Sequence, residues 1–194
     1  MGEGFRGDAG TGEGAAVMSA EPDAGTLAEV EELLDGDAGP RRALVVVVGD
    51  RASEDSRTQE LMVELLGEDG YYVDAVIDVP SVKSRIRQAL ETGVVGGVDL
   101  VVTVGGVGVG PRDRVPEATR KVLDRRLQGI EEALRASALS AGALDGALSR
   151  GLAGVSGSTV IVNIADSRAA VRDGMSTLGP LVDFVCDDLG RWRV

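Results

Sequence analysis

At 194 residues with 43% hydrophobic but only 3% aromatic content, the chain has one domain's worth of core, built from Val, Leu, Ile and Ala. A net charge of −12 without a Lys/Arg run argues against direct nucleic-acid binding. The absence of histidine removes Ser-His-Asp triads, imidazole acid/base work and His-liganded metals, leaving carboxylates, backbone dipoles, Arg, Lys or a hard metal for any chemistry.

Residues 1–25 read as a Gly-rich, acidic and disordered tail, since they lack apolar periodicity. In 26–40 the spacing of Leu27, Val30, Leu33 and Leu34 predicts a short amphipathic helix closed by a turn. The remainder, 41–194, is the predicted domain. Residues 43–48 form a β-branched run, the expected first central strand, ending at Gly49-Asp50-Arg51. A polar loop at 53–58 precedes a helix with Leu61, Met62, Leu65 and Leu66 on one face, stopped by Gly67 or Gly70. Residues 71–79 give a second strand ended by Pro80, and Ser81 is placed as the N-cap of a helix carrying Val82, Ile86 and Leu90, with a turn at 93–97.

A third strand begins at Leu100. Gly105, Gly106, Gly108 and Gly110 stop it, then come Pro111, Arg112, Asp113, Arg114 and a helix start at Pro116-Glu117. A strand, a glycine loop and a helix N-terminus compose an anion site in an α/β protein. The loop lacks the Walker Lys-Ser/Thr ending and the GxGxxG spacing, so neither of those families is supported. A short helix with Ala118, Val122 and Leu123 follows, then a helix at 128–138, a helical turn within 139–147, a strand or loop at 148–153, a tight turn at 154–158 and a strand at 159–164. The last helix starts near Arg168 and breaks at Gly179-Pro180 before reaching about Gly190. Alternating strands and helices predict a three-layer α/β/α domain with a mostly parallel open sheet. Its strand ends at Asp50, at the glycine loop through Asp113, and from Asn163 to Arg168 are expected side by side. The lone Cys186, within the apolar pattern of Val182, Val185 and Leu189, fits a reducing cytoplasm. No stretch reaches the roughly 18 apolar residues of a membrane helix.

The motifs GGVGVGPRDRVPEAT (105–119), DRRLQGIEEALRASAL (124–139), LSRGLAGV (148–155) and IVN (161–163), together with DRAS (50–53), resemble the MoaB/MogA-like molybdopterin-binding family of molybdenum cofactor biosynthesis. The resemblance implies an α/β domain, commonly a homotrimer. It also implies molybdopterin as ligand, with transfer of an adenylyl group from Mg-ATP to the pterin's terminal phosphate in active members and no covalently bound cofactor. By the resemblance, Gly105, Gly106 and Gly108 line the phosphate and Asp113 is the carboxylate nearest metal and chemistry, with Glu117 beside it. Ser149, Arg150 and Ser167 are candidate pterin or phosphate contacts, and Asp50 belongs to the first-strand motif; the residues alone specify no metal ligand set.

The chain departs from the family pattern at Val104 and Val107, where hydroxyls are usual, at Ser81, where an aspartate is usual, and at Thr58-Gln59. Asp166 adds negative charge where an anion would approach. The expectation is therefore a molybdopterin-binding protein with weak or no adenylyl transfer. The alternative is a degenerate homologue acting as an oligomeric interaction or regulatory protein, its partner met by the acidic N-terminal extension or the trimer surface.

Overall fold

The computed structural model describes residues 39–49 and 56–191. The expectations for the tail, for the 26–34 helix and for Asp50 in its DRAS motif fall outside the described residues. Strand β1, Arg42–Val48, is a run of valines and leucine buried at six consecutive positions, as a strand covered by helices on both faces must be. It pairs in parallel with β2, Tyr72–Val79, and with β3, Leu100–Val104; β3 in turn pairs in parallel with β6, Thr159–Ile164. Every residue of β3 and β6 is buried. The sheet order is β2-β1-β3-β6-β5-β4, with β4 at Arg125–Arg126 and β5 at Ala153–Ser156 forming an antiparallel margin.

This margin replaces the tight turn expected over 154–158: residues 154–156 belong to β5 and only 157–158 turn. Gly154 serves close approach instead, because a Cβ there would stand 2.2 Å from the Arg125 carbonyl oxygen. The two-residue β4 is held by Glu131, a nearly fully buried carboxylate that accepts from the Arg126 Nη2 at 2.8 Å and from the Ala153 N–H at 3.2 Å.

Side-chain alternation splits the core into two layers. Ala43, Val45, Val47, Leu100, Val102, Val160 and Val162 meet Leu61, Met62 and Leu66 of α1 (Ser56–Glu68), Ile130 of α4 (Gln128–Ser140), and Val171, Met175, Leu178 and Val182 of α6 (Arg168–Gly190). Leu44, Val46, Val48, Val101 and Ile161 face Ile86, Ala89 and Leu90 of α2 (Lys83–Val95) and Val115 and Ala118 of α3 (Val115–Thr119). The three-layer expectation holds.

Several local expectations change. Helix α1 starts at Ser56, inside the predicted loop, and runs through Gly67; the turn after it uses Gly70 at φ +82°. Val82, not Ser81, stands at the N-cap of α2, without a side-chain cap. Helix α2 continues past Gly93, whose missing Cβ lets it lie against β3 and β1: an added Cβ would be 2.6 Å from Val101 Cγ2 and 3.1 Å from Leu44 Cδ2. Helix α3 ends at Thr119, so Val122 and Leu123 lie beyond it but pack on the same core. A four-residue α5, Leu144–Ala147, supplies the helical turn, and 148–152 are loop. Helix α6 does not break at Gly179-Pro180. Pro180 has no N–H to offer the Ser176 carbonyl, but both residues are exposed, where solvent can reach that group. At Gly179 an added Cβ would stand 3.2 Å from the Asp69 carboxylate.

Candidate functional site

The glycine run crosses the C-terminal edge of the sheet. Its first half needs glycine for direction and closeness: Gly105 and Gly106 take φ +92° and +64°, and a Cβ on Gly105 would stand 2.6 Å from the Val48 carbonyl oxygen of the adjoining β1. The Gly105 N–H donates to the Ile164 carbonyl at 3.0 Å, and the Val115 N–H to that of Gly106 at 3.1 Å. Thus the ends of β1, β3 and β6 do lie side by side.

The second half wraps Asp113. Its Oδ2 accepts from the Gly110 N–H at 2.7 Å, and its own N–H donates to the Gly110 carbonyl at 3.1 Å. A Cβ on Gly108 or Gly110 would lie 2.8 or 2.9 Å from Asp113 Oδ2, so these glycines make room for the carboxylate.

Arg150, from the loop after α5, fastens this arrangement. Its backbone N–H donates to the Val107 carbonyl at 2.8 Å and its Nε to that of Gly108 at 2.6 Å. Nη2 donates to the Asp113 carbonyl at 2.7 Å, and Nη1 to Glu117 Oε1 at 2.5 Å. Burial opposes ionisation of Glu117, yet the hydrogen bond and charge of Arg150, aided by Lys83, hold its carboxyl below the usual range. Glu117 Oε2 is buried without a hydrogen-bond partner.

Beneath the loop, Asn163 joins three segments. Its Oδ1 accepts from the Leu152 N–H at 3.0 Å, and its Nδ2 donates to the hydroxyls of Thr103 at 2.9 Å and Thr119 at 3.1 Å. Sequence reasoning saw Asn163 only as a strand-end polar residue. Its position at the end of a β-branched run was the available signal.

The candidate residues do not share one cleft: Ser149 lines a small cavity with Glu131, Arg135 and Asn163, and Gly105, Gly106 and Gly108 line neither of the two larger clefts. Asp113, Glu117, Arg150 and Gly110 line one of 500 Å³, which Lys83 of α2 also borders. Ser167 lines another of 590 Å³ with Arg57, Glu64, Asp166 and Arg168. Ser167 also caps α6, accepting from the Ala170 N–H at 3.2 Å, and Ser149 accepts from the Gly151 N–H at 3.0 Å. Neither serine's oxygen is committed to a ligand-facing role alone. Asp166 sits beside Gly105, at the margin of the second cleft.

Two of the departures acquire a different meaning. Val104 and Val107 are 0% and 3% exposed and belong to opposite core layers. Both side chains are packed in the interior of the domain. Among the described residues no cluster of three or more His, Cys, Asp or Glu forms a metal site. No helix among them is long and apolar enough to cross a membrane.

Residues 44–183 match the family model described as a probable molybdopterin binding domain. The chain is 33% identical over 132 residues to a molybdopterin adenylyltransferase of Helicobacter pylori, covering 66% of this chain and 72% of that one. It is 30% identical over 144 residues to a molybdenum cofactor biosynthesis bifunctional protein of Chlorobaculum tepidum; this covers 73% of the chain but 46% of that protein, so the chain spans about half its length. The crystal structure of a molybdopterin biosynthesis protein from Mycobacterium abscessus superposes with a TM-score of 0.77 at 52% identity, covering 79% of this chain and 99% of that one. The chain belongs to the molybdopterin-binding domain family of molybdenum cofactor biosynthesis.

Proposed function

We propose that this domain binds molybdopterin by its terminal phosphate at the glycine loop, with Mg-ATP as the second ligand. The observation that carries this reading is the loop itself, folded round Asp113 and fastened by three hydrogen bonds from Arg150, which also bonds to Glu117 of α3. Backbone N–H groups and a fixed carboxylate are the equipment of phosphoryl and nucleotidyl transfer, which relies on positioning and electrostatics and needs no histidine. In this reading Gly105, Gly106 and Gly108 form the phosphate cradle, Asp113 is the carboxylate nearest the magnesium, Glu117 stands behind it, and Ser149 and Ser167 border the pterin.

Adenylyl transfer joins the pterin phosphate oxygen to the α-phosphorus of ATP and releases pyrophosphate. We read it as slow in this chain, because Ser81 stands where the family motif has an aspartate and offers no carboxylate to a cation. Pyrophosphate release from Mg-ATP and a pterin phosphate tests this: Ser81→Asp should raise turnover and Asp113→Ala should abolish it. Turnover indifferent to both would refute the reading. We also read the chain as a cytoplasmic homotrimer. The exposed Leu139, Leu144 and Leu148, at 64%, 65% and 74%, supply apolar surface for an interface, and light scattering on the purified chain should give three times the monomer mass.

A further inference from the structure

Three cations border the Asp113 cleft: Lys83, Arg114 and Arg150. Arg114 folds back on its own loop, its Nε donating to the Pro111 carbonyl at 3.1 Å, and the other two have different tasks. Arg150 cannot readily turn outward. Its Nε, Nη1 and Nη2 are engaged by Gly108, Glu117 and Asp113, and releasing any of them would leave a loop carbonyl or the Glu117 carboxylate unpaired. Lys83 is the reverse case. It begins α2, its residue is exposed, it borders the same cleft, and among the described residues it has no hydrogen-bond or ion-pair partner. It borders the cleft together with Glu117, whose carboxyl its charge helps keep ionised.

We infer that Lys83 is the anion-contacting cation of this cleft, meeting a phosphate of the ligand opposite the glycine loop, while Arg150 is a positioning residue that holds Asp113 and the loop. The inference rests on the proposed function for the existence of a phosphate ligand, and it adds the residue that meets it. A lysine suits this place: a compact charge on a flexible stem follows a phosphate through a reaction, whereas a guanidinium fork fixes a loop. The phosphate is shared chemistry of ATP and the pterin, so the two must be tested apart.

The sequence provides a direct probe, because Lys83 and Lys121 are its only lysines. The full-length protein is labelled with an amine-reactive acylating reagent, with and without saturating Mg-ATP or a pterin phosphate, and modification is read by mass spectrometry. Calorimetry runs in parallel on the wild type, Lys83→Ala, Lys83→Arg and Arg150→Lys. The expected result is protection of Lys83 but not Lys121 by at least one ligand. The same ligand's affinity should fall about tenfold in Lys83→Ala and less in Lys83→Arg, with a shallower salt dependence in the alanine variant. Protection by ATP alone assigns Lys83 to the nucleotide, and protection by the pterin phosphate alone assigns it to the pterin. Arg150→Lys should weaken both ligands together, by disordering the loop. Binding that persists with Lys83 fully labelled and with unchanged affinity in Lys83→Ala overturns the inference while leaving the proposed function intact. Absence of binding to the wild type overturns both.

Discussion

Single residues in this site act mainly by holding other residues. Asn163 is the clearest case: truncation to alanine strands the Leu152 N–H in the interior and removes the partner of two buried threonine hydroxyls. Asn163→Ala should cost about 2 to 3 kcal/mol in urea unfolding, with an unchanged slope. Gly108→Ala should behave differently. The new Cβ presses on the tip of the Asp113 side chain rather than on backbone, so ligand affinity should fall while the melting temperature moves little; a large loss of stability with binding intact would contradict the assignment. Glu117 gives a pH signature. Because its folded pKa lies below the ordinary 4.5, its bond to Arg150 contributes fully above that value. The contribution is lost as pH falls through the lower, folded pKa. Loop order, followed by hydrogen exchange at Gly108 and Gly110, should decline in that acid range, and in Glu117→Gln the decline should disappear.

At the scale of elements, glycine and proline have meanings that local sequence does not settle. Gly93 read as a turn and proved to be a helical contact point, because what decides it is the approach of Val101 and Leu44 from strands distant in sequence. Gly93→Ala should therefore destabilise by about 1 to 3 kcal/mol through overpacking, despite alanine's better helix propensity. Pro180 read as a break and sits on the solvent face of a continuous 23-residue helix. The same helix is tied to the start of β1 by Arg41, which pairs with Asp183 and Asp187, and by the Tyr71 hydroxyl, which donates to Asp183 at 3.1 Å. Burial pushes the Cys186 thiol beside this clasp up from 9.0 to about 11 and raises the Tyr71 phenol also. Folded-state pKa values above the unfolded ones mean that stability is fully present below about 9 and is lost as pH rises toward 11. Thermal melts should show that alkaline loss, and Cys186 should alkylate slowly at pH 8 in the folded chain.

Over the whole molecule, what was legible followed from continuous patterns. Residues 43–48, the strand from Leu100 and 159–164 are β-branched or apolar runs, and each is a buried strand of the parallel core. The β4–β5 margin was hidden because two arginines and a Gly-Val-Ser run carry no strand pattern; Glu131 and the Gly154 contact make it a strand pair. The loop's location was legible from its glycines and PRDRVPEAT, but side-chain direction was not. Val104 and Val107, departures from the family pattern, are core residues, and Arg150, a candidate ligand contact, borders the cleft while bonding to the loop. Periodicity places a residue on an element. It does not say which neighbour across the fold will claim its side chain.

The central claim is that the loop around Asp113 binds a phosphate-bearing pterin or nucleotide ligand. Titration calorimetry of the full-length chain with a pterin phosphate and with Mg-ATP tests it most directly, run beside Asp113→Ala with folding verified by circular dichroism. Saturable binding to the wild type that falls on the order of a hundredfold in Asp113→Ala is the predicted result. Equal binding by the two proteins, or none to the wild type at millimolar ligand, would contradict it.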